Sequence, residues 1–269
     1  MKTIIIKEKS ELLGYKKEII NLFREAYDQD LSSDIWDWAY INNPFGSPYA
    51  ALAFDDGLVA HYAVIPYPLI EKSGAKRKSF LSMTTMVAKT HRKYGLFTKL
   101  ANLTYDELKK DDADFVMGFP NQMSAPGFRK KLEWEVLEPD VVVSVNRNQL
   151  EELINLDSFA QCEESFQMFA NLSDSELRDW RLSKPGVKYS WHDSIAYKEY
   201  NGQIDVMFYE SPRDLKNLPL ASAYNILLPS DIIIDKSIIS FDYMFGGLGL
   251  NTDFDPNRVR RQMCISDVF

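Results

Sequence analysis

The sequence has 269 residues, 45% hydrophobic and 13% aromatic, enough for one large or two small domains with real cores, which excludes a disordered chain. A net charge of -8 and a pI of about 5.1 argue against general nucleic-acid binding, which needs a basic surface. Cys162 and Cys264 stand alone, without a Cys-x-x-Cys or Cys/His group, so neither a disulfide framework nor a metal site is expected.

The first ten residues hold an apolar run of three isoleucines, too short for a secretory segment. No run reaches the ~18 apolar residues of a membrane span. A cytoplasmic protein without membrane contact is the expectation. Residues 3–7 read as a short strand, and residues 16–27 as a helix with Ile19, Ile20, Leu22, Phe23 and Ala26 on one stripe. In residues 31–46, Ser32 or Ser33 can cap a helix bearing Trp36, Trp38 and Tyr40 that stops at Asn43-Pro44. Residues 50–54 and 58–65 flank Asp55-Asp56-Gly57, a strong hairpin signal, and both faces of the second strand are apolar, which makes it central. Residues 79–88 form the next strand.

That strand runs through a basic turn, Lys89-Thr90-His91-Arg92-Lys93-Tyr94-Gly95, into a helix whose Leu96, Leu100 and Leu103 make one buried stripe. The first turn of a helix presents unpaired N–H groups and a positive dipole end. Gly95 lets the backbone approach a ligand, and Arg92 and Lys93 add charge suited to a pyrophosphate. Residues 114–119 then read as a short buried strand, 125–132 as a helix, and 134–137 and 141–145 as strands closing the unit.

Arg92-Lys93-Tyr94-Gly95-Leu96-Phe97, following Met86-Val87 on a strand, resembles the R-x-x-G-x-[GA] motif of the GNAT superfamily of acyl-coenzyme A N-acyltransferases. Phe97 departs from the usual small residue. The order β-α-α-β-β-β-α-β-α-β-β is also the GNAT order. The resemblance implies an α/β (α+β) GNAT fold, a mixed central sheet flanked by helices, with coenzyme A or acyl-coenzyme A as co-substrate. Thr85, Met86 and Val87 would then line the pantetheine arm. Arg92, Lys93, Tyr94, Gly95, Leu96, Phe97 and Thr98 would hold the pyrophosphate. The segment 118–134 resembles the later motif of the family, in which a strand splays from its neighbour, and it places Asn121, Ser124, Phe128 and Lys131 beside the carrier.

Acyl transfer needs a neutral amine against the thioester, donors for the oxyanion and a proton for the leaving thiolate. Many members of the family carry a base carboxylate upstream on the motif strand; here Phe80-Leu81-Ser82-Met83 has none. Many also carry a tyrosine acid on the later helix; here Phe128 and Arg129 occupy the comparable positions. Asn121 keeps the polar position and is a catalytic candidate. His61 is the candidate base, lying on a central strand and titrating near neutrality, with a hydrogen-bonded core histidine as the alternative. Trp36 and Tyr40 are candidates to floor the acceptor pocket by stacking, with core packing as the alternative, and Asn43 and Tyr62 are further acceptor candidates. His91 reads as a ligand-loop residue, and His192 has no visible partner.

From Arg147 onward no second basic turn appears, yet an echo does. Leu172-Ser173-Asp174, Asp179-Trp180 and Pro185-Gly186 follow the pattern of residues 31–46, and Asn201-Gly202 marks a second hairpin. Residues 1–146 therefore read as the catalytic GNAT domain, and 147–269 as a degenerate GNAT-like domain that contributes to the acceptor site. Gly246-Gly247-Leu248-Gly249 reads as a strand turn, and residues 223–228, 238–245 and 260–265 as strands. A chain ending at residue 146 is then expected to keep coenzyme A binding and lose transfer.

The first half also resembles two-domain bacterial enzymes of surface-polysaccharide and O-antigen pathways. This implies a nucleotide-linked amino-deoxy sugar as the acceptor, with no nucleic-acid or membrane partner and a homodimer left open. A different small amine, a non-catalytic acyl-coenzyme A sensor, and a phosphotransferase (disfavoured without a G-x-x-x-x-G-K-[ST] loop) are the other readings.

Overall fold

The computed structural model describes residues 1–232 and 234–266. The chain folds as two compact units. The first comprises residues 1–68, 76–136 and 246–255; the second comprises 69–75, 137–245 and 256–269. The boundary expected at residue 146 therefore falls earlier, and residues 246–255 return to the first unit. Among the described residues no helix is long and apolar enough to cross a membrane.

The first unit is built on a seven-stranded sheet. In chain order its strands begin with β1 (Lys2–Ile6), β2 (Tyr49–Phe54), β3 (Leu58–Pro66) and β4 (Ser79–Val87). They continue with β5 (Phe115–Gly118) and β6 (Glu135–Val136). The strand Gly246–Gly249 inserts between β5 and β6, giving the order β1-β2-β3-β4-β5-(246–249)-β6. β3 is buried from Val59 to Pro66, as a strand with two apolar faces should be. The Asp55-Asp56-Gly57 turn joins β2 to β3 with Asp56 at φ 53 and Gly57 at φ 146, and Asp55 N–H donates to Gly57 O at 2.9 Å.

Helix α1 (Lys9–Leu13) precedes α2 (Lys16–Tyr27), which buries Ile19 and Leu22 against β3 and β4. The aromatic segment forms α3 (Ser33–Trp36) and runs on as one π-helical turn, Asp37–Ile41. Ser32 is its N-cap residue, without a side-chain cap bond. Helix α4 (Leu96–Lys110) turns Leu96, Leu100, Ala101, Thr104, Tyr105 and Leu108 onto β2 and β3. It is the crossover between the parallel strands β4 and β5. Helix α5 (Ala125–Lys131) follows β5.

Two features of this sheet shape what lies at its centre. β4 and β5 pair only at Ser79↔Phe115, Phe80↔Val116 and Leu81↔Met117, and past that point they part. Opposite, His61 pairs with Met86 and Ala63 with Met83, so Thr84 and Thr85 together face the single residue Tyr62. That is a β-bulge, and Thr84 takes φ 47, a left-handed conformation that costs a β-branched residue energy.

The second unit has a six-stranded sheet. Its strands are β7 (Asp140–Val145), β8 (Tyr189–His192), β9 (Ile195–Tyr200), β10 (Gln203–Tyr209), β11 (Ala223–Leu228) and β12 (Ile239–Tyr243), in the order β8-β9-β10-β11-β7-β12. Asn201-Gly202 makes the β9–β10 hairpin, both residues at positive φ. The strand expected to close the first unit is β7, which pairs with β11 and β12 instead. Residues 260–265 are not a strand. Arg260 N–H donates to Met168 O and Gln262 Nε2 to Tyr209 O, Arg261 pairs with Asp140, and residues Met263–Ser266 form a short helix. The strand expected there does not form, because inward polar partners take the segment.

Candidate functional site

Where β4 and β5 part, the first unit opens a cavity of about 420 Å³. One wall is β4 from Ser82 to Val87, including the bulge. The facing wall is Gly118 at the end of β5, Phe119-Pro120-Asn121 after it, and the start of α5. One end is closed by Arg92, Gly95, Phe97 and Thr98, where the basic turn meets α4. The turn itself is a 3-10 helix, Lys89–Tyr94, that stops at Gly95 with φ 67. A Cβ there would meet nothing within 4 Å, so the left-handed backbone rather than crowding favours glycine. Gly95 is also the N-cap of α4, and no side chain caps the first turn. The leading N–H groups of a 15-residue helix are thus left for an anion.

Arg92 Nη2 donates to Ala26 O at 3.4 Å, which ties the basic turn to the end of α2. Tyr27, the last residue of that helix, lines the cavity and donates its hydroxyl to Thr85 O at 2.6 Å. Burial pushes the Tyr27 phenol up from its ordinary pKa, opposed by the charge of Arg92. Tyr27, Arg92 and Lys131 are the ionisable side chains among the described residues that line the cavity; no carboxylate and no imidazole is with them.

The structure brings together most of the carrier-binding residues expected from sequence. Thr85, Met86, Val87, Arg92, Gly95, Phe97, Thr98, Asn121, Ser124, Phe128 and Lys131 all line the cavity. Phe97 turns its ring to Phe128, centroids 5.1 Å apart, and a Cβ on Gly127 would lie 3.0 Å from it, so the ring fills space that α5 leaves open. Lys93, Tyr94 and Leu96 do not line it. Leu96 is buried under α4, while Tyr94 is half exposed with the Lys93 ammonium over its ring. Asn121 is present, but its Oδ1 accepts from Met123 N–H and Ser124 N–H at 3.1 and 2.9 Å, which folds the loop into α5.

His61 is not in the cavity. It is 1% exposed, its Nδ1 lies 2.8 Å from Thr84 O, and its ring edge meets Tyr40. Burial lowers its pKa to about 4, so it is a neutral core residue bracing the back of the bulge. Trp36, Tyr40, Asn43 and Tyr62 are equally absent from the lining. Trp36 and Tyr40 pack on each other in the core, and the Tyr40 hydroxyl bonds Thr84 Oγ1. Asn43 bonds Pro66 O and Phe45 N–H, holding the turn after α3. These aromatics do not floor this cavity, because they are buried in the core of the first unit. His91 joins Thr90 and Asp55 in the turn, and His192 lies beside Asp193 on the surface.

Sequence reasoning missed Tyr27, Ser82, Thr84, Gly118 and Trp134 as lining residues. Ser82 leads into a buried chain of polar groups. Its hydroxyl donates to Tyr62 Oη at 3.0 Å, Tyr62 and Tyr105 share a hydroxyl bond of 2.7 Å, and Trp134 Nε1 donates to Tyr105 Oη at 2.9 Å. Burial holds both phenols above their ordinary range. Among the described residues, no three His, Cys, Asp or Glu side chains gather as a metal site.

Residues 13–137 match the family model described as the acetyltransferase (GNAT) domain. No curated protein matches the sequence. Among solved structures, the GCN5-related N-acetyltransferase from Kribbella flavida is similar with a TM-score of 0.60 at 12% identity, over 91% of this chain and 71% of that one. Eis1 from Mycobacterium abscessus is similar at 0.57 and 12%, over 91% and 73%. A GCN5-related N-acetyltransferase from Anabaena variabilis ATCC 29413 is similar at 0.57 and 9%, over 91% and 72%. At such identities the likeness establishes the fold. The span that matches the GNAT acetyltransferase domain, residues 13–137, includes every residue lining the cavity, and the match supports an acyl-coenzyme A-dependent transferase.

Proposed function

We propose that this chain transfers an acyl group from acyl-coenzyme A to a primary amine in the cavity between β4 and β5. The observation that carries the reading is the parting of these strands beyond Leu81↔Met117, which opens a slot ending at the Arg92–Gly95 turn and the uncapped start of α4. The site fits the carrier. A diphosphate suits Arg92, Gly95 and Thr98 at the helix start, and an extended pantetheine arm suits the open wall of Thr85, Met86 and Val87. The bulge at Thr84–Thr85 takes backbone out of the ladder at the level where a thioester would sit, which gives polar backbone for a developing oxyanion.

The narrower reading, a nucleotide-linked amino-deoxy sugar as acceptor in surface-polysaccharide synthesis, is supported by the sequence resemblance. The buried positions of Trp36 and Tyr40 remove the stacking platform first expected for it. Calorimetry with coenzyme A, followed by thiol release from acetyl-coenzyme A with an amine panel that includes nucleotide-linked amino sugars, tests both levels. Binding with turnover of amines supports the general reading, and a strong preference for the nucleotide-linked sugars supports the narrower one. Arg92→Glu should weaken coenzyme A binding about tenfold or more, since it replaces a charge-assisted contact by repulsion. Equal affinity in that variant would refute the assignment of the turn.

A further inference from the structure

The cavity lacks a carboxylate or imidazole among its described lining residues, so something else must hold the amine. Ser82 stands where the wall of β4 meets the mouth of the splay, one residue past the last β4–β5 pair. Gly118 faces it, and a Cβ there would lie 3.4 Å from both Ser82 Cβ and Ser82 O, so the glycine keeps this spot open. Ser82 gives its own proton to Tyr62. What the hydroxyl offers the cavity is therefore a lone pair. At the far end of the same chain the Trp134 indole, which can only donate, bonds Tyr105 Oη. Tyr62, Tyr105 and Trp134 are 0%, 3% and 3% exposed, so solvent does not scramble these bonds.

We propose that Ser82 holds the acceptor amine by accepting one of its N–H bonds, that Tyr62 is a positioning residue that keeps the Ser82 lone pair turned outward, and that the amine arrives already neutral. This rests on the acyltransferase reading above. In the reaction the nitrogen forms a bond to the thioester carbon, the C–S bond breaks, and the carrier leaves as thiolate. The proton shed by nitrogen ends on that sulfur, so amine and thioester become amide and thiol. Ser82 aligns the nitrogen lone pair and takes no net proton. No group of the protein then sets the rising limb of the pH profile; the amine does.

The test uses the full chain, acetyl-coenzyme A and two acceptors of different basicity, an alkylamine and a less basic amino sugar. Ser82→Ala should lower kcat/KM for the amine about tenfold or more while coenzyme A binds as in the parent. Ser82→Thr, which keeps the hydroxyl, should regain most of the loss. Tyr62→Phe should lower kcat more than it changes coenzyme A affinity. The rising limb of kcat/KM should move with the solution pKa of the amine. Turnover within twofold of the parent in Ser82→Ala, or an equal loss in Ser82→Ala and Ser82→Thr, overturns the role of Ser82 alone. A rising limb at the same pH for both amines overturns neutral arrival. A parent protein that binds coenzyme A and acylates no amine overturns this inference together with the reading beneath it.

Discussion

His61 shows what burial does to a residue that looks catalytic. A histidine on a central strand titrates near neutrality only if water or a charge partner can reach it. Here the ring is packed against Tyr40, Nδ1 is beside Thr84 O, and Nε2 is buried without a hydrogen-bond partner. The folded pKa is lowered from 6.5 to about 4. The unfolded chain therefore binds a proton that the folded one refuses. Above pH 6.5 both states are neutral and His61 contributes nothing to the pH dependence. As pH falls from 6.5 toward 4 the unfolded state gains, and the protein should lose about 3 kcal/mol through this residue. Urea titrations at pH 7 and pH 4.5, comparing the parent with His61→Gln, check this. The parent should lose stability more steeply on acidification, and parallel losses in the two proteins would show that His61 is not the cause. Its legibility was partial. The strand and its central place were readable from two apolar faces, but the direction of the ring depends on the bulge at Thr84, which no local pattern announces.

At the scale of elements, the difference between local and distant signals decides what could be read. The basic turn and α4 are encoded within residues 89–108, and they lie where expected, with Arg92, Gly95 and Thr98 in the cavity wall. The Ser82–Tyr62–Tyr105–Trp134 chain draws on β4, β3, α4 and the loop before β6, so no spacing in the sequence pointed to it. The glycine-rich strand Gly246–Gly249 is the other such case. It reads as a turn, yet it pairs with β5 on one side and β6 on the other. Its glycines answer to backbone proximity. A Cβ on Gly246 would lie 2.5 Å from Glu135 O and 2.8 Å from Val136 Cα, and one on Gly247 would lie 2.6 Å from Val116 O. Those neighbours are main chain and cannot swing away. Gly246→Ala should therefore push β6 off the strand and cost about 2 kcal/mol, measured by chemical denaturation. A variant within about 0.5 kcal/mol of the parent would mean that the sheet absorbs the methyl.

For the whole molecule, the path of the chain matters more than the division of its sequence. A cut near residue 146 looked natural because the GNAT-like pattern ends there. The first unit is nevertheless completed by residues 246–255, reached after the entire six-stranded sheet of the second unit has been traversed. Those ten residues do more than cover an edge. Their strand fills the gap between β5 and β6, Leu250 N–H donates to Asp114 O at 2.9 Å, and Asn251 Nδ2 donates to Ala113 O at 3.0 Å. Phe254 stacks on Phe115 with ring centroids 4.2 Å apart. A chain ending at residue 146 would leave β5 with an unpaired edge beside the cavity, strip β6 of the strand it pairs with, and expose Phe115. Open apolar strand edges favour association over folding. The first-half fragment should accordingly lack a cooperative denaturation transition and fail to bind coenzyme A, although every residue lining the cavity is in it. Circular dichroism melts and calorimetry on the fragment beside the full chain make the comparison. A monomeric fragment that melts cooperatively and binds coenzyme A with near-parent affinity would show that the returning strand is dispensable to the first unit.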